Sequence, residues 1–253
     1  MKLAFSTLGC PDFDWIDICV MAKDFGFAGI EMRGLGEANL TKPFLPENID
    51  KTIAQLKRQH LEIPCLSSSC PLKYANRAEE ARKELKAYID LAAKLKSSYI
   101  RVLGDEFARV DTPVDDQVVL ASLRALAPYA EEKGVTLLVE TNGVYTDTAR
   151  LRDLLVRVGS NNVGALWDIH HPYRFAGETP AQTVENLGAF IKYTHIKDSV
   201  MEGDKVRYKM MGEGDLPIAK AMLALRSINY EGFVSLEWLK KYAPELTDAG
   251  IVF

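Results

Sequence analysis

The feature that most constrains the fold is a regular alternation of short apolar runs and longer amphipathic stretches along the whole chain. The apolar runs are rich in β-branched and aromatic residues, which is typical of strands. Because consecutive parallel strands need a crossover connection, usually a helix, strict alternation predicts a parallel sheet. The eight predicted strands are residues 2–8, 28–33, 62–67, 99–103, 135–141, 163–169, 193–198 and 233–238.

The stretches between these strands have helical periodicity. In residues 78–96, one stripe at spacings of three and four is apolar, and it consists of Ala81, Leu85, Tyr88, Ile89, Ala92 and Leu95. Thr146 and Asp147 are candidate caps at the start of another helix, and Gly159 is expected to end it. Eight repeats in 253 residues favour one closed (β/α)8 TIM barrel over residues 1–253 rather than an open doubly wound sheet.

Composition and short motifs exclude several classes. The chain has 31 Lys+Arg against 35 Asp+Glu, a net charge of −4, which argues against a strongly basic nucleic-acid-binding protein. Neither glycine-rich phosphate-binding motif occurs, so we expect no nucleotide cofactor. Four dispersed cysteines predict no disulfide framework, and no run reaches the ~20 apolar residues of a membrane span. Polar residues interrupt any signal-peptide core, so we expect a cytoplasmic protein.

Ionisable residues stand near the carboxyl ends of the last four predicted strands. They are Glu140, Asp168, His195 and Glu237. Active sites of such barrels are built at these strand ends. Three neighbouring carboxylates would repel one another unless a cation lay between them, so we expect a divalent metal. This oxygen-rich set matches Mn²⁺ best, with Mg²⁺, Co²⁺ or Zn²⁺ as alternatives.

The segments around these residues carry a family resemblance. The motifs are VETN at 139–142, WDIHHPYR at 167–174, THIKD at 194–198 and SLEW at 235–238. They resemble the xylose-isomerase-like TIM-barrel superfamily and, more narrowly, its sugar phosphate isomerase/epimerase branch. That branch includes ketose 3-epimerases, inosose isomerases and dehydratases, and hydroxypyruvate isomerases. GIEMRG at 29–34 and YIRVLG at 99–104 extend the resemblance to earlier strands.

The resemblance implies specific roles. The metal set of the family falls on Glu140, Asp168, His195 and Glu237, and its D-x-x-H substrate-binding pattern falls on Asp168 and His171. Further substrate contacts are expected from polar residues near other strand ends, although a solvated loop charge is a simpler interpretation of Arg207. The expected substrate-binding residues are His171, Lys197, Arg207, Glu31, Arg33 and Arg101.

The resemblance also implies a reaction. We expect a metal-dependent isomerase or epimerase of a sugar, sugar phosphate, inosose or keto-acid. Glu140 and Glu237 would remove and return a proton through a metal-bound enediolate. If a β-hydroxyl leaves instead, the same chemistry gives a dehydratase of inosose or 3-dehydroshikimate.

Two other classes share this architecture. Apurinic endonucleases use the same barrel, but their multi-metal site needs more histidines than the four of this chain, and we see no phosphate track. A non-catalytic sugar-binding barrel is disfavoured by the intact four-ligand set. We therefore expect a small-molecule partner and neither nucleic acid nor membrane, while a homo-oligomer is left open.

Overall fold

Ten strands form within residues 1–33 and 44–253, the part of the chain that the computed structural model describes. They are β1 Lys2–Ser6, β2 Gly29–Arg33, β3 Cys65–Pro71, β4 Tyr99–Leu103, β5 Thr136–Glu140, β6 Val163–Asp168, β7 Ile191–Ile196, β8 Asp198–Glu202, β9 Lys205–Lys209 and β10 Phe233–Leu236. Eight of them close into a parallel barrel in the order β1-β10-β7-β6-β5-β4-β3-β2. The predicted (β/α)8 barrel is confirmed.

Eight α-helices lie in the same described part of the chain. They are α1 Trp15–Asp24, α2 Ile49–Gln59, α3 Ala78–Leu95, α4 Asp116–Glu132, α5 Thr148–Val158, α6 Pro180–Leu187, α7 Ile218–Ser227 and α8 Ala249–Val252. The predicted stripe of α3 is buried apart from Tyr88, which is half-buried. Asp147 caps α5 by accepting a bond from the Arg150 amide, and Gly159 ends the helix at a φ of 68°. Thr146 instead donates to the Gly143 carbonyl.

The amino-terminal half of the barrel interior is filled by apolar side chains. They are Ala4, Cys65, Leu138, Leu166, Tyr193 and Phe233. Side chains two positions apart on a strand point to the same face. Three members of this layer precede Glu140, Asp168 and His195 by two positions on their strands. The polar residues therefore point into the interior one layer above the apolar floor, at the carboxyl end.

The structure differs from the predicted elements most clearly at three places, and in addition the first and last strands end two residues early, at Ser6 and Leu236. The third strand lies at Cys65–Pro71 rather than 62–67, because Pro64 has no backbone N–H to donate and leaves Glu62 in an isolated bridge to Gly29. The seventh strand begins at Ile191 rather than at residue 193. The sequence pattern missed its first two residues because exposed Lys192 interrupts the apolar run. The region after β7, expected to be a loop, contains the antiparallel hairpin β8–β9, whose charged, half-exposed strands lack an apolar signal.

In the described residues, none of the helices has the length and apolar character needed to cross a lipid bilayer.

Candidate functional site

Four predicted metal ligands meet at the carboxyl end of the barrel. Glu140 and Asp168 are the last residues of β5 and β6, His195 lies in β7, and Glu237 directly follows β10. The strand register sets Asp168 beside His195. One ligand atom from each residue lies within 4.8 Å of the others, and all four side chains are buried. The structure thus brings together the whole set that sequence spacing singled out.

The two ring nitrogens of His195 face different partners. Nδ1 lies 3.1 Å from Glu140 Oε1, 3.5 Å from Glu237 Oε1 and 3.9 Å from Asp168 Oδ2. Nε2 lies 3.0 Å from both carboxylate oxygens of Glu31. A proton on Nε2 donated to Glu31 would leave the Nδ1 lone pair facing the three other carboxylates. An outer carboxylate of this kind commonly fixes the tautomer of a metal-binding histidine.

Glu31 is itself held by two serines. Ser67 Oγ donates to Glu31 Oε1 at 2.5 Å, and Ser235 Oγ donates to Oε2 at 2.7 Å. The carboxylate is fully buried and is absent from the described lining of the cavity above the cluster. The structure therefore does not place Glu31 in contact with the cavity. Its carboxylate instead orients the His195 ring through Nε2, the nitrogen opposite the cluster.

Two cations contact the carboxylates of the cluster. Arg101 Nη1 donates to Glu140 Oε2 at 2.6 Å, and its Nη2 donates to the Ser68 carbonyl at 2.7 Å. Lys197 Nζ donates to both Asp168 and Glu237. Both side chains are almost fully buried, so these ion pairs lie in a low-dielectric interior where an unpaired charge is costly.

These contacts shift the pKa values of the cluster. Burial alone would raise the pKa of Glu237, yet the nearby Lys197 and His195 cations lower it to about 2. Burial also opposes ionisation of Glu140, but Arg101 and His195 hold its pKa well below the usual range. Burial disfavours the charged ring of His195, whereas Glu31 and Glu237 raise its pKa well above the ordinary value. Glu140 and Glu237 are therefore ionised, and their negative charge favours a cation beside Nδ1.

The formal charges of the cluster test whether a metal fits. The carboxylates are Glu31, Glu140, Asp168 and Glu237, and the permanent cations in contact with them are Arg101 and Lys197. Four negative and two positive groups leave −2 when His195 is neutral, as a metal ligand must be. A divalent cation would balance this charge, so the donor set fits one.

A cavity of about 540 Å³ opens above the cluster. Of the expected substrate-binding residues, His171, Lys197, Arg101 and Arg33 line it, together with Glu140 and Glu237. Arg207 is not among its described lining residues. This arginine lies on the β8–β9 hairpin, is 59% exposed and pairs with Glu202 at 2.7 Å. The structure therefore places Arg207 at the surface as a solvated charge, apart from the other expected substrate-binding residues.

The D-x-x-H pattern directs one histidine into the cavity and its neighbour away from it. His171 Nε2 lies 3.6 Å from Asp168 Oδ2, and its Nδ1 lies 3.2 Å from the Thr141 carbonyl oxygen. Burial lowers the pKa of His171, so its ring is neutral at pH 7. His170 Nε2 instead lies 3.0 Å from Ser199 Oγ. A neutral imidazole at the cavity wall can exchange a proton with a bound molecule.

With this geometry in hand, comparisons with known proteins assign the family. A family model described as a xylose isomerase-like TIM barrel matches residues 19–251. The chain belongs to this family. The fructoselysine 3-epimerase of Shigella flexneri is 26% identical to this xylose isomerase-like barrel in an alignment of 239 residues that covers 88% of this chain and 85% of that protein.

Solved structures show the same fold. The probable 3-DHS dehydratase AsbF of Bacillus anthracis aligns with a TM-score of 0.80 at 19% identity, over 100% of this chain and 96% of that one. The IolI protein with a bound zinc atom aligns with a TM-score of 0.80 at 18% identity, over 98% and 92% of the two chains. Both likenesses concern the architecture of the xylose isomerase-like barrel.

Sequence reasoning missed the cavity residues that come from loops. Glu106 and Phe107 follow β4, Tyr208 lies on the hairpin, and Tyr242 follows β10. Loops have no periodic pattern that would reveal which side chains turn inward. The sequence signal for Phe107 and Tyr242 was an aromatic residue in a predicted loop, and both side chains are more than half exposed in the structure.

Proposed function

We propose that this xylose isomerase-like barrel is a divalent-metal-dependent isomerase or epimerase of a small sugar, sugar phosphate, inosose or keto-acid. The observation that carries the proposal is the meeting of three carboxylates and one imidazole, all buried, with ligand atoms within 4.8 Å of one another. With Glu31, Arg101 and Lys197 included, the formal charge of this cluster is −2 once the imidazole is neutral, which one divalent cation would balance. No solvent-facing function would require this many carboxylates inside a barrel, because burying them is costly. The proposed role lies in carbohydrate metabolism.

Two glutamates are the proposed acid and base. Glu140 and Glu237 both line the cavity, and they come from strands on either side of β6 and β7. Arg101 contacts Glu140 and Lys197 contacts Glu237. One carboxylate, in its ionised form, would accept a proton from a carbon next to a carbonyl, and the other, having taken up a proton from solvent, would return one to the same carbon. A bound divalent cation would supply Lewis acidity that stabilises negative charge on the substrate oxygen.

The named relatives support the reaction class and leave the metal open. The Shigella protein is a sugar-derivative 3-epimerase, and an epimerase needs two groups that can exchange a proton with one carbon. IolI was solved with zinc, whereas the oxygen-rich set here favours Mn²⁺, with Mg²⁺, Co²⁺ and Zn²⁺ as alternatives.

Dehydration is a second candidate. Lys197 carries a protonated nitrogen at the cavity wall, where its ammonium group can donate a hydrogen bond to a departing hydroxyl group. The name of AsbF, a probable dehydratase of the same fold, is consistent with this alternative. The same glutamate would start both reactions by removing a proton, and the leaving group would decide the outcome.

Proton exchange in heavy water tests the proposal. Mn²⁺-loaded protein would be incubated with ketoses, inososes, hydroxypyruvate and 3-dehydroshikimate, and products would be analysed by NMR. We expect deuterium on the carbon next to the carbonyl, with an isomer or epimer as product; loss of water would indicate the dehydratase. Binding without exchange would favour a sugar-binding barrel, and nicking of a duplex with an abasic site would favour an endonuclease. Either result would overturn the proposal.

A further inference from the structure

A guanidinium group lies at a second position in the same cavity. Arg33, the last residue of β2, donates from Nη1 to Ser69 Oγ at 2.7 Å and to the Ser67 carbonyl at 3.3 Å. Its Nη2 donates to the Tyr242 hydroxyl at 3.0 Å. Two segments distant in sequence, β3 and the chain after β10, therefore fix the orientation of this side chain.

The charge of Arg33 differs from that of the other cavity cations. Arg101 and Lys197 are neutralised by carboxylates of the cluster. Within residues 1–33 and 44–253, no carboxylate lies within 4.0 Å of the Arg33 guanidinium, whose contacts are a carbonyl and two hydroxyls. Neutral acceptors orient a guanidinium without cancelling its charge. This part of the cavity is therefore suited to an anion.

The hydroxyl groups around Arg33 strengthen this conclusion. Ser69 and Tyr242 each accept a hydrogen bond from the guanidinium, so each O–H hydrogen remains able to donate to a ligand. Both residues line the cavity beside Arg33. A guanidinium fork flanked by two hydroxyl donors matches the several acceptor oxygens of a carboxylate or phosphate.

We infer that Arg33, Ser69 and Tyr242 bind an anionic group of the substrate while its reacting carbons lie at the cluster. The inference rests on the proposed function, and it narrows the substrate class to keto-sugar derivatives that carry a carboxylate or a phosphate. Arg33 lines the same cavity as Glu140 and Glu237, so one molecule can contact both regions. Arg33 is thus a specificity-determining residue, and discrimination between charged and neutral substrates depends on it.

Binding of inert analogues tests this inference without relying on turnover. D-glucitol, D-glucitol 6-phosphate and D-gluconate share a carbon chain length, lack a ketone and differ in charge. Their dissociation constants would be measured by calorimetry on the Mn²⁺-loaded protein. We expect at least one anionic analogue to bind about ten- to a hundredfold more tightly than glucitol, the range of charge-assisted hydrogen bonds. The analogue that binds tightly identifies the phosphate or the carboxylate as the group recognised.

Two variants separate the role of Arg33 from general electrostatics. Arg33→Gln should abolish the preference for the anionic analogue, and Arg33→Lys, which keeps the charge but loses the fork, should retain part of it. Arg207→Gln makes the same charge change on the exposed hairpin and should leave the preference intact. Thermal unfolding would establish that each variant is folded.

Several results would overturn the inference. One is that the wild-type protein binds all three analogues equally or binds none of them. The others are that Arg33→Gln keeps the full preference for the anionic analogue, or that Arg207→Gln loses as much of that preference as Arg33→Gln does. Failure of the proposed function would be seen separately, as absence of deuterium exchange on keto-sugars. If the binding preference for anions depended on Arg33 but no deuterium exchange occurred, the anion site would stand and only the proposed enzymatic activity would be refuted.

Discussion

His195 Nε2 lies 3.0 Å from both oxygens of the Glu31 carboxylate, inside the barrel and out of contact with solvent. Ser67 and Ser235 fix that carboxylate by donating one hydrogen bond to each oxygen. The imidazole ring therefore has one orientation, with Nδ1 directed at the three remaining carboxylates. Pre-positioning of a ligand in this way lowers the cost of assembling a metal site.

Replacing Glu31 by Gln should weaken metal binding by about 10- to 100-fold, the range typical of outer carboxylates that support a metal-binding histidine. The side chain keeps its shape but no longer offers two charged acceptors to Nε2. Affinity for Mn²⁺ would be measured by calorimetry. Glu62→Gln, an exposed carboxylate paired with Lys2, is the matched control. Unchanged affinity in Glu31→Gln would contradict the supporting role.

Metal content should be about one divalent ion per chain, as in a single-metal Lewis-acid site. Asp168→Ala removes one carboxylate ligand and leaves Lys197 with Glu237 alone, so we expect this variant to lose the ion. Elemental analysis of protein loaded with Mn²⁺ and then desalted measures the content. Asp153→Ala, at an exposed position on α5, should retain the metal. If Asp168→Ala bound a full equivalent, the ligand set would be wrong.

Much of this site could be predicted because strand geometry is periodic. Alternation along β5 to β7 directs every second side chain inward, and an ionisable residue at the end of such a series departs from the apolar pattern. Glu140, Asp168 and His195 were visible for that reason. The four-ligand cluster follows from spacing and closure of the barrel, without knowledge of any loop.

The remaining features depend on long-range contacts that local patterns do not encode. Glu31 is the third residue of five in β2, within the strand rather than at its rim, and only the closed barrel sets it against His195, 164 positions away. The contact between Arg33 and Tyr242 spans 209 positions. The placement of Arg207 outside the described cavity lining could not be predicted either, because the charged segment around it pairs as a hairpin that the sequence pattern does not reveal.

Lys73 should stabilise the loop that follows β4. Its side chain is 2% exposed, and Nζ lies 2.9 Å from both Asp105 Oδ1 and Asp111 Oδ1. Lys73→Met would leave the fully buried Asp105 charge without its cation, so we expect the free energy of unfolding to fall by about 3 kcal/mol. Urea denaturation would measure the loss. Lys83→Met, at an exposed position of α3, should change stability by less than ~0.5 kcal/mol. Equal effects would refute the buried ion pair as the cause.

Proton transfer gives the sharpest test of the mechanism. Glu140→Gln and Glu237→Gln keep side-chain shape and one oxygen for the metal but remove the proton acceptor. Each should lower kcat by about 10²- to 10⁴-fold, the range of general acid–base catalysis, and slow deuterium exchange in parallel. Metal content would be measured on the same samples, and Glu185→Gln, an exposed position on α6, serves as control. If both variants kept full metal and near-normal rates, His171, the neutral imidazole near Asp168 at the cavity wall, would have to be the base.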